Sequence, residues 1–249
     1  MCGVFGYIGA PKGRDRDLAA GLMTRLALAH QERGDDASGY AALTAGGQLL
    51  WDKQPMPARR FFTAQSFSPI FRKRLVAVIG HTRHATIGAP AVNTNNHPHL
   101  AGDWAVVHNG HLHGHRIIAL SHGLRLTSEC DSELLARALA CYGEVDGPVV
   151  CLGMGGSQSV LAINRRSRHL LAWTNGGQPL VAFRGDGLPG LWWASTQAIA
   201  MRALDAVNLS ARFATARPEA IYRLELRQGE VAVHADRPEG PAGDQKGTW

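Results

Sequence analysis

Apolar positions along the chain fall into two patterns, continuous runs and residues spaced three or four apart, which predict strands and helices respectively. The run from Val4 to Ile8 predicts a buried opening strand. Helical spacing of apolar residues predicts a helix from Asp15 to His30, with Gly34 as its C-terminal cap. Similar patterns predict further strands at residues 37–43, 49–51, 75–80, 104–107, 159–164, 169–174, 180–183, 191–194, 221–226 and 230–234. Further helices are predicted at residues 115–122, 134–140 and 195–204, with Ser128 or Asp131 capping the second of these.

The order of these elements bears on the fold class. Strands, then helices, then more strands follow one another without an internal repeat or a dividing linker. This order predicts a single α+β domain over residues 1–249, with sheets packed on each other and helices outside. The end of the chain, rich in Pro, Gly and charge, predicts a loose tail from about residue 238.

The composition is typical of a globular protein, because 45% of the 249 residues are hydrophobic and 18% are charged. No apolar run approaches the roughly 20 residues that cross a membrane, and the N-terminus lacks the pattern of a signal peptide. We therefore expect a cytoplasmic protein without a membrane partner. The four cysteines form no Cys-x-x-Cys pair, which argues against a zinc ribbon or a disulfide scaffold, so no metal site is expected.

The formal net charge is +6, with a sequence pI near 9.5. A basic chain can bind nucleic acid, but here the basic residues are scattered and no nucleic-acid-binding motif accompanies them. A solvated basic surface is the favoured interpretation, and we expect no nucleic-acid partner. A basic rim that attracts an acidic partner subunit is the alternative.

The chain start carries the first candidate for chemistry. Cys2 follows Met1 directly, so removal of Met1 would place a thiol and a free α-amine on one residue. The unperturbed pKa of such an amine is roughly 7.7–8.0, which suits a general base for the thiol. The alternative is that Cys2 is a small, inert hydrophobic residue at the start of a strand.

Three polar positions at the ends of predicted elements extend this pattern. Arg83 follows a buried strand, and an arginine fork binds a carboxylate with two hydrogen bonds. Asn109 and Gly110 offer a side-chain amide and a backbone N–H, which an oxyanion hole requires. Asp131 could pair with a ligand ammonium. Taken one at a time, the arginine is typical of a surface residue, the Asn-Gly pair of a type I′ turn and the aspartate of a helix cap. Together with the Cys2 nucleophile, they would recognise a free α-amino acid with an electrophilic side chain.

Six motifs occur in a fixed order over nearly the whole chain. They are Met-Cys-Gly-Val-Phe-Gly at residues 1–6, Gln-Glu-Arg-Gly-Asp-Asp-Ala-Ser-Gly at 31–39, Gly-His-Thr-Arg-His-Ala-Thr-Ile-Gly at 80–88, Asn-His-Pro-His at 96–99, Val-His-Asn-Gly at 107–110 and Ser-Glu-Cys-Asp-Ser-Glu at 128–133. Weaker similarities follow at residues 175–180 and 194–197. With these motifs the chain resembles a class II glutamine amidotransferase domain of the N-terminal-nucleophile (Ntn) hydrolase kind. It is similar to the glutaminase domains of glucosamine-6-phosphate synthase and amidophosphoribosyltransferase.

The resemblance implies a four-layer αββα sandwich that hydrolyses L-glutamine to glutamate and ammonia without a cofactor. The residues that match the family's functional positions are Cys2 as nucleophile, Asn109 and Gly110 as the oxyanion-hole pair, Arg83 with Thr86 at the α-carboxylate, Asp131 at the α-ammonium, and Arg33 as a buried support for the nucleophile. His97 and His99 are expected to be structural. His84 departs from the pattern, because the sugar-phosphate synthases carry a bulky aromatic residue there.

The remaining expectations concern what receives the ammonia. The chain ends where larger family members begin a second domain, and no sugar isomerase or phosphoribosyltransferase part is present. We therefore expect an ammonia-accepting synthase partner, as in multi-subunit systems like glutamate synthase. One alternative is a stand-alone amidohydrolase that acts on γ-glutamyl compounds. The other is a non-catalytic regulatory subunit that retains Met1.

Overall fold

Two antiparallel sheets form the centre of the computed structural model, which describes residues 1–63 and 67–236 and, for Ser68, the backbone only. The first sheet contains β1 (Gly3–Ile8), β2 (Ala37–Thr44), β3 (Leu49–Gln54), β4 (Leu75–Arg83), β9 (Val181–Gly185), β10 (Leu191–Ala194) and β11 (Ala211–Thr215). The second contains β5 (His99–Ala101), β6 (Trp104–His111), β7 (Ser157–Asn164), β8 (His169–Thr174), β12 (Ile221–Arg227) and β13 (Glu230–Asp236). The tail expected from about residue 238 lies outside the described residues.

Helices cover the outer faces of the two sheets. They are α1 (Arg14–His30), α2 (Ala58–Phe61), α3 (Ser68–Phe71), α4 (His115–Ser121), α5 (Glu133–Gly153) and α6 (Gln197–Asp205). In the part of the chain that the structure describes, no helix is long and apolar enough to cross a membrane.

The alternation of side chains along β1 illustrates how the layers form, because successive residues of a strand point to opposite faces. Phe5 and Tyr7 pack with the buried face of α1 and with α6, which forms the outer core of the first sheet. Val4 and Ile8 face the other way and pack with residues of both sheets, which forms the core between the sheets.

A third core lies on the outer face of the second sheet. There Trp104, Val106 and Trp173 pack against leucines of α5, among them Leu134 and Leu135. The order helix, sheet, sheet, helix confirms the predicted four-layer αββα sandwich of α+β class.

The centre of the first sheet brings the chain start next to the end of β4. β1 pairs with β4 in antiparallel register, with Gly3 opposite Thr82, so Cys2 lies beside Arg83. β10 pairs along the other edge of β1. A hydrogen bond from the His81 ring to the His108 carbonyl (3.0 Å) connects the end of β4 to β6 of the second sheet.

Several boundaries differ from the sequence-based expectations. The predicted helix at 134–140 continues to Gly153 across a kink at Gly143, whose φ of 78° and ψ of −165° are not helical. Neither Ser128 nor Asp131 caps this helix, because the capping position is Ser132 and it makes no side-chain cap bond. β5 and β11 were not expected, and α6 begins at Gln197, where the Thr196 hydroxyl accepts from the Ile199 N–H.

Gly34 was expected to cap α1, and this prediction is wrong. α1 ends at His30 and a 3₁₀ turn at residues 31–33 follows, after which Gly34 is extended with a φ of 175°. A glycine is needed here for a different reason. A Cβ atom at this position would lie 2.3 Å from the Arg83 carbonyl carbon, so only glycine lets the two backbones approach.

The core between the sheets generates a stability prediction. Leu161 of β7 is fully buried there, so Leu161→Ala should lower the free energy of unfolding by about 2–5 kcal/mol through lost burial and a residual cavity. Leu120→Ala serves as the control, because Leu120 is 79% exposed and its loss should change the value by less than about 0.5 kcal/mol. Urea denaturation of both variants measures the difference, and equal effects would contradict the assignment of this core.

Candidate active site

Cys2 directly precedes β1, and its sulfur lies against the backbone of His84. The Sγ atom is 3.4 Å from both the His84 nitrogen and the His84 oxygen, so the backbone N–H donates to the sulfur and the thiol donates to the carbonyl. Burial raises the pKa of the Cys2 thiol, while the His84 N–H, the ammonium at the chain start and Arg83 act in the opposite direction. The thiol therefore needs a base before it can act as a nucleophile.

Arg33 holds the chain start in place. Its Nε donates to the Cys2 carbonyl at 2.7 Å, and its Nη2 donates to Gln178 Oε1 at 3.5 Å and to the Met1 sulfur at 3.7 Å. Arg33 is half-buried rather than fully buried, because a cleft of about 670 Å³ opens beside Met1, Arg33 and His84. Cys2 itself is not among the lining residues, so the cleft lies beside the nucleophile candidate rather than over it.

A second set of buried polar groups holds β1 in place through hydrogen bonds that involve Ser195 and His30. The sequence alone did not predict a role for these two residues. Ser195 Oγ accepts from the Val4 N–H at 2.9 Å, and the Ser195 N–H donates to His30 Nε2 at 3.1 Å. The other ring nitrogen of His30 lies 2.7 Å from the Leu26 carbonyl, and burial lowers the pKa of His30 to about 3, so the ring is neutral. The signal that pointed to Ser195 was the weak similarity at residues 194–197.

Arg83 lies at the end of β4, is only 2% exposed and is surrounded by uncharged oxygens. Its guanidinium donates to Asn96 Oδ1 at 2.8 Å and to the carbonyls of Ile87 and Gly88. Within residues 1–63 and 67–236, no carboxylate forms an ion pair with Arg83. A buried cation oriented by neutral groups is suited to bind an anion from outside.

Asp131 is the matching buried anion, with 4% of its surface exposed. Its Oδ2 accepts from the Leu112 N–H at 2.7 Å and lies 3.5 Å from His111 Nδ1. The charges of Asp131 and Arg83 both act on the Cys2 thiol, with opposite sign. The nucleophile candidate, the cation and the anion therefore lie near one another, and their roles towards a ligand stay a prediction.

Asn109 and Gly110 lie in the last part of β6, not in a turn after it. Asn109 Nδ2 donates to Gln178 Oε1 at 3.1 Å, so Gln178 contacts both Asn109 and Arg33. A Cβ atom on Gly110 would lie 1.8 Å from the Ser157 carbonyl oxygen, so the strand pairing at this point requires glycine. The weak similarity at residues 175–180 contained Gln178, but sequence reasoning gave it no role.

Two further predicted residues lie on the loop after β4. Thr86 is exposed, and its placement at a ligand carboxylate stays a prediction. His84 contributes its backbone to Cys2, whereas its ring is mostly exposed and lies 3.9 Å from Asp36. The Asp36 carboxylate also accepts from the Ala85 N–H at 2.7 Å, which fixes the start of this loop.

Glu133 holds the segment that carries Asp131 in place through hydrogen bonds. Its carboxylate accepts five hydrogen bonds of 2.6 to 3.0 Å from the backbone N–H groups and hydroxyls of Thr127 and Ser128, because the Thr127 N–H donates to both carboxylate oxygens. It also pairs with Arg137 at 2.8 Å. Burial alone would raise the pKa of Glu133, but these bonds outweigh it and lower the pKa to about 2.

Sequence comparison finds related proteins in several bacteria, although no protein-family model matches the chain. The glutamine–fructose-6-phosphate aminotransferase of Streptomyces coelicolor is 32% identical over 198 residues, which is 75% of this chain and 31% of that protein. The enzyme of the same name from Vibrio cholerae is 29% identical over 245 residues, 93% of this chain and 35% of that protein. This chain thus spans about a third of the length of these curated relatives.

Solved structures agree in fold. The glutamine phosphoribosylpyrophosphate amidotransferase of B. subtilis superposes with a TM-score of 0.69 and 19% identity, over 94% of this chain and 49% of that chain. By sequence and by fold, the chain matches the class II glutamine amidotransferase domain. A glutamine aminotransferase class-II domain protein from Silicibacter pomeroyi superposes with a TM-score of 0.54 and 13% identity. The superposition covers 95% of this chain and the whole of that chain.

The buried carboxylate of Glu133 generates a pH-dependent prediction for this amidotransferase domain. Its folded pKa of about 2 lies below the unfolded value of roughly 4.3, so its stabilisation is complete above the unfolded value and is lost as the pH falls towards 2. Glu133→Gln should lower the free energy of unfolding by about 2–3 kcal/mol at pH 7 and by progressively less towards pH 3.

Urea denaturation between pH 3 and pH 7 measures this difference. Glu230→Gln is the matched control, because Glu230 is exposed on β13 and its loss should change stability by less than about 0.5 kcal/mol. A penalty for Glu133→Gln that does not vary with pH would contradict the role of the charge.

Proposed function

We propose that this chain is a single glutaminase domain that hydrolyses L-glutamine to glutamate and ammonia through a thioester on Cys2. The observation that carries the proposal is the grouping of the Cys2 thiol with one buried cation, Arg83, and one buried anion, Asp131. A free amino acid carries the complementary charges on its α-carboxylate and α-ammonium. The similarity to glutamine-dependent aminotransferases supports glutamine as the amino acid.

The first chemical step uses the chain start as both nucleophile and base. After removal of Met1, the α-amine of Cys2 takes the thiol proton, and Sγ attacks the carbon of the side-chain amide. The C–N bond then breaks as the amine returns the proton to the departing ammonia, which leaves a γ-glutamyl thioester. Water, activated by the same amine, attacks the thioester and releases glutamate with the thiol restored.

Charge on the amide oxygen develops next to the end of β6. The Asn109 side-chain amide and the Gly110 N–H are the proposed donors to this oxyanion, and one such donor typically lowers the barrier by ~2.7–4 kcal/mol. The Asn109 amide group has two hydrogens. It can therefore keep its contact with Gln178 while a second hydrogen faces the substrate.

Arg83 and Asp131 account for the specificity of the proposed site. Arg83, with Thr86 beside it, binds the α-carboxylate and Asp131 binds the α-ammonium. An amide that lacks these groups would leave two buried charges unpaired, so it would be rejected. Arg33 keeps the Cys2 carbonyl, and with it the nucleophile, in position.

The fate of the ammonia is the second part of the proposal. The named relatives are about three times as long as the stretch that matches this chain, and they are aminotransferases. We infer that the ammonia passes to a separate synthase partner in the cytoplasm. A stand-alone amidohydrolase would instead turn over γ-glutamyl amides as fast as glutamine, and comparing the two rates distinguishes these functions.

Replacing the nucleophile gives the most direct test. Cys2→Ala should lower glutaminase activity by about 10⁴-fold or more, because no other group can form the thioester. Cys141→Ala is the control, since Cys141 is an exposed free thiol and its loss should leave the rate unchanged. Full activity of Cys2→Ala would refute the mechanism.

Intact-mass measurement of the native protein belongs to the same test. The proposal requires an active protein that lacks the mass of one methionine residue. An active protein that keeps Met1 would contradict the mechanism, and a silent protein that keeps Met1 would support the regulatory alternative.

Asp131→Asn tests the substrate-binding part separately. Asparagine retains an oxygen for the Leu112 N–H but loses the charge, so KM for L-glutamine should rise about 10- to 100-fold with a smaller effect on kcat. Asp103→Asn, in a surface turn where Asp103 pairs with Arg165, should leave KM unchanged. An unchanged KM in Asp131→Asn would remove Asp131 from the substrate site.

A further inference from the structure

Three metal-binding side chains, two imidazoles and one thiol, meet near the predicted substrate-binding residues, although they come from two separate segments of the chain. A ring nitrogen of His97, a ring nitrogen of His99 and the Cys130 sulfur all lie within 4.8 Å of one another. The three residues are almost fully buried, with 3%, 3% and 4% of their surfaces exposed.

Three imidazole nitrogens of this cluster lack hydrogen-bond partners. Both ring nitrogens of His97 and Nε2 of His99 are buried without a hydrogen bond. The Cys130 thiol makes a long contact of 3.8 Å to Asp131 Oδ1 and also interacts with the backbone and hydroxyl of Ser132, so the unsatisfied atoms of the cluster are the imidazole nitrogens. A buried polar atom without a partner costs about 1–3 kcal/mol, so three in one cluster point to a missing bound group.

The geometry points to a structural zinc site in which His97, His99 and Cys130 bind one Zn²⁺ ion. Zinc takes imidazole nitrogen at about 2.0–2.1 Å and thiolate sulfur at about 2.3 Å in tetrahedral sites, which separates neighbouring donors by roughly 3.3–3.7 Å. The donor atoms lie within 4.8 Å of one another, so a contraction of no more than about 1 Å brings them to these separations. A donor set of nitrogen and sulfur favours Zn²⁺ over Mg²⁺ or Ca²⁺, which prefer oxygen.

The two imidazoles are in the neutral state that ligation requires, whereas the thiol has to lose its proton. Burial lowers the pKa of His99 to about 3 and that of His97 well below its ordinary value, so both rings are neutral and keep a free electron pair. Burial raises the pKa of Cys130 to about 11. Zn²⁺ binding therefore replaces the thiol proton, which is released to solvent as the Zn–S bond forms.

The surrounding charges nearly balance. His81 stacks on His97 with ring centroids 3.8 Å apart, and it is neutral like His108 because burial lowers the pKa of both rings. Lys53 and Arg83 contribute positive charge near the cluster, while Asp131 and Glu133 contribute negative charge. The net charge of a zinc ion with one thiolate is +1, and the two carboxylates offset the two cations around it.

The position of the cluster indicates what the ion would do. Asn96 precedes His97 and orients Arg83, while Cys130 precedes Asp131. One ion would thus tie together the two segments that carry the buried cation and the buried anion. This inference concerns metal binding and does not depend on the proposed glutaminase reaction.

The experiment uses the full chain in a Cys2→Ala background, because the thiol and α-amine of Cys2 could chelate zinc themselves. The protein is produced with added Zn²⁺, freed of loosely bound ions with a mild chelator and analysed for metal by mass spectrometry. About one zinc ion per chain is expected. Less than about 0.1 ion per chain would overturn the proposal.

Two separate buried cysteines, Cys130 and Cys151, allow a matched comparison of variants. Cys130→Ser should lower the zinc content at least tenfold, whereas Cys151→Ser should not, since Cys151 is an equally buried thiol outside the cluster. Equal zinc content in the two variants would overturn the proposal.

If Cys130→Ser fails to fold, spectroscopy of the protein with the cluster intact tests the proposal instead. Co²⁺ loaded in place of Zn²⁺ should show thiolate-to-cobalt charge-transfer absorption, and X-ray absorption at the zinc edge should show one sulfur and at least two nitrogen ligands. A zinc shell without sulfur would overturn the assignment. Neither measurement depends on enzyme activity.

Discussion

The pairing of β1 with β4 is the constraint on which the rest of the site depends. β1 has strand neighbours on both edges and packed side chains on both faces, so a shift of one residue would send every side chain into the opposite core and disrupt the packing of both. The register therefore fixes the residue that precedes β1. It places Cys2 beside the end of β4, where the His84 backbone receives the sulfur. The nucleophile candidate is positioned by a sheet rather than by a flexible terminus.

The environments of the two buried charges near Cys2, Arg83 and Asp131, explain how the site can be stable without a ligand and still bind a zwitterionic one. Arg83 is held by carbonyl and amide oxygens, which satisfy its hydrogens without neutralising its charge. Asp131 accepts a backbone N–H and lies near the ring of His111. Burial of unpaired charges is costly, and the Glu133 hydrogen bonds and the packed sheets supply the stability that offsets this cost. A zwitterionic ligand would pair both charges at once.

Much of this arrangement could be predicted from the sequence, because the elements involved have strong local patterns. α1, α5 and the buried strands are defined by apolar spacing; Cys2 and Arg83 lie at the ends of buried strands, and Asp131 lies just before α5. The edge strand β11 escaped prediction, since it has little apolar patterning and forms only by pairing with β9. The cluster of His97, His99 and Cys130 also escaped prediction, because Cys130 is distant in sequence from the two histidines and only the tertiary structure brings them together.

The four cysteines show how the fold assigns different chemistry to the same side chain. Cys151, near the end of α5, is fully buried in the third core and burial raises its pKa, so it is an inert core residue. Cys130 is also buried, but imidazole nitrogens without hydrogen bonds lie next to it, and this arrangement is the basis of the proposed zinc site. Cys141 is exposed but lies on the surface of α5 away from the cleft. Only Cys2 combines partial exposure, a cleft beside it, two nearby buried charges and the prospect of its own amine as base. The chemistry therefore follows from position in the fold, and among the described cysteines it selects the one at the chain start.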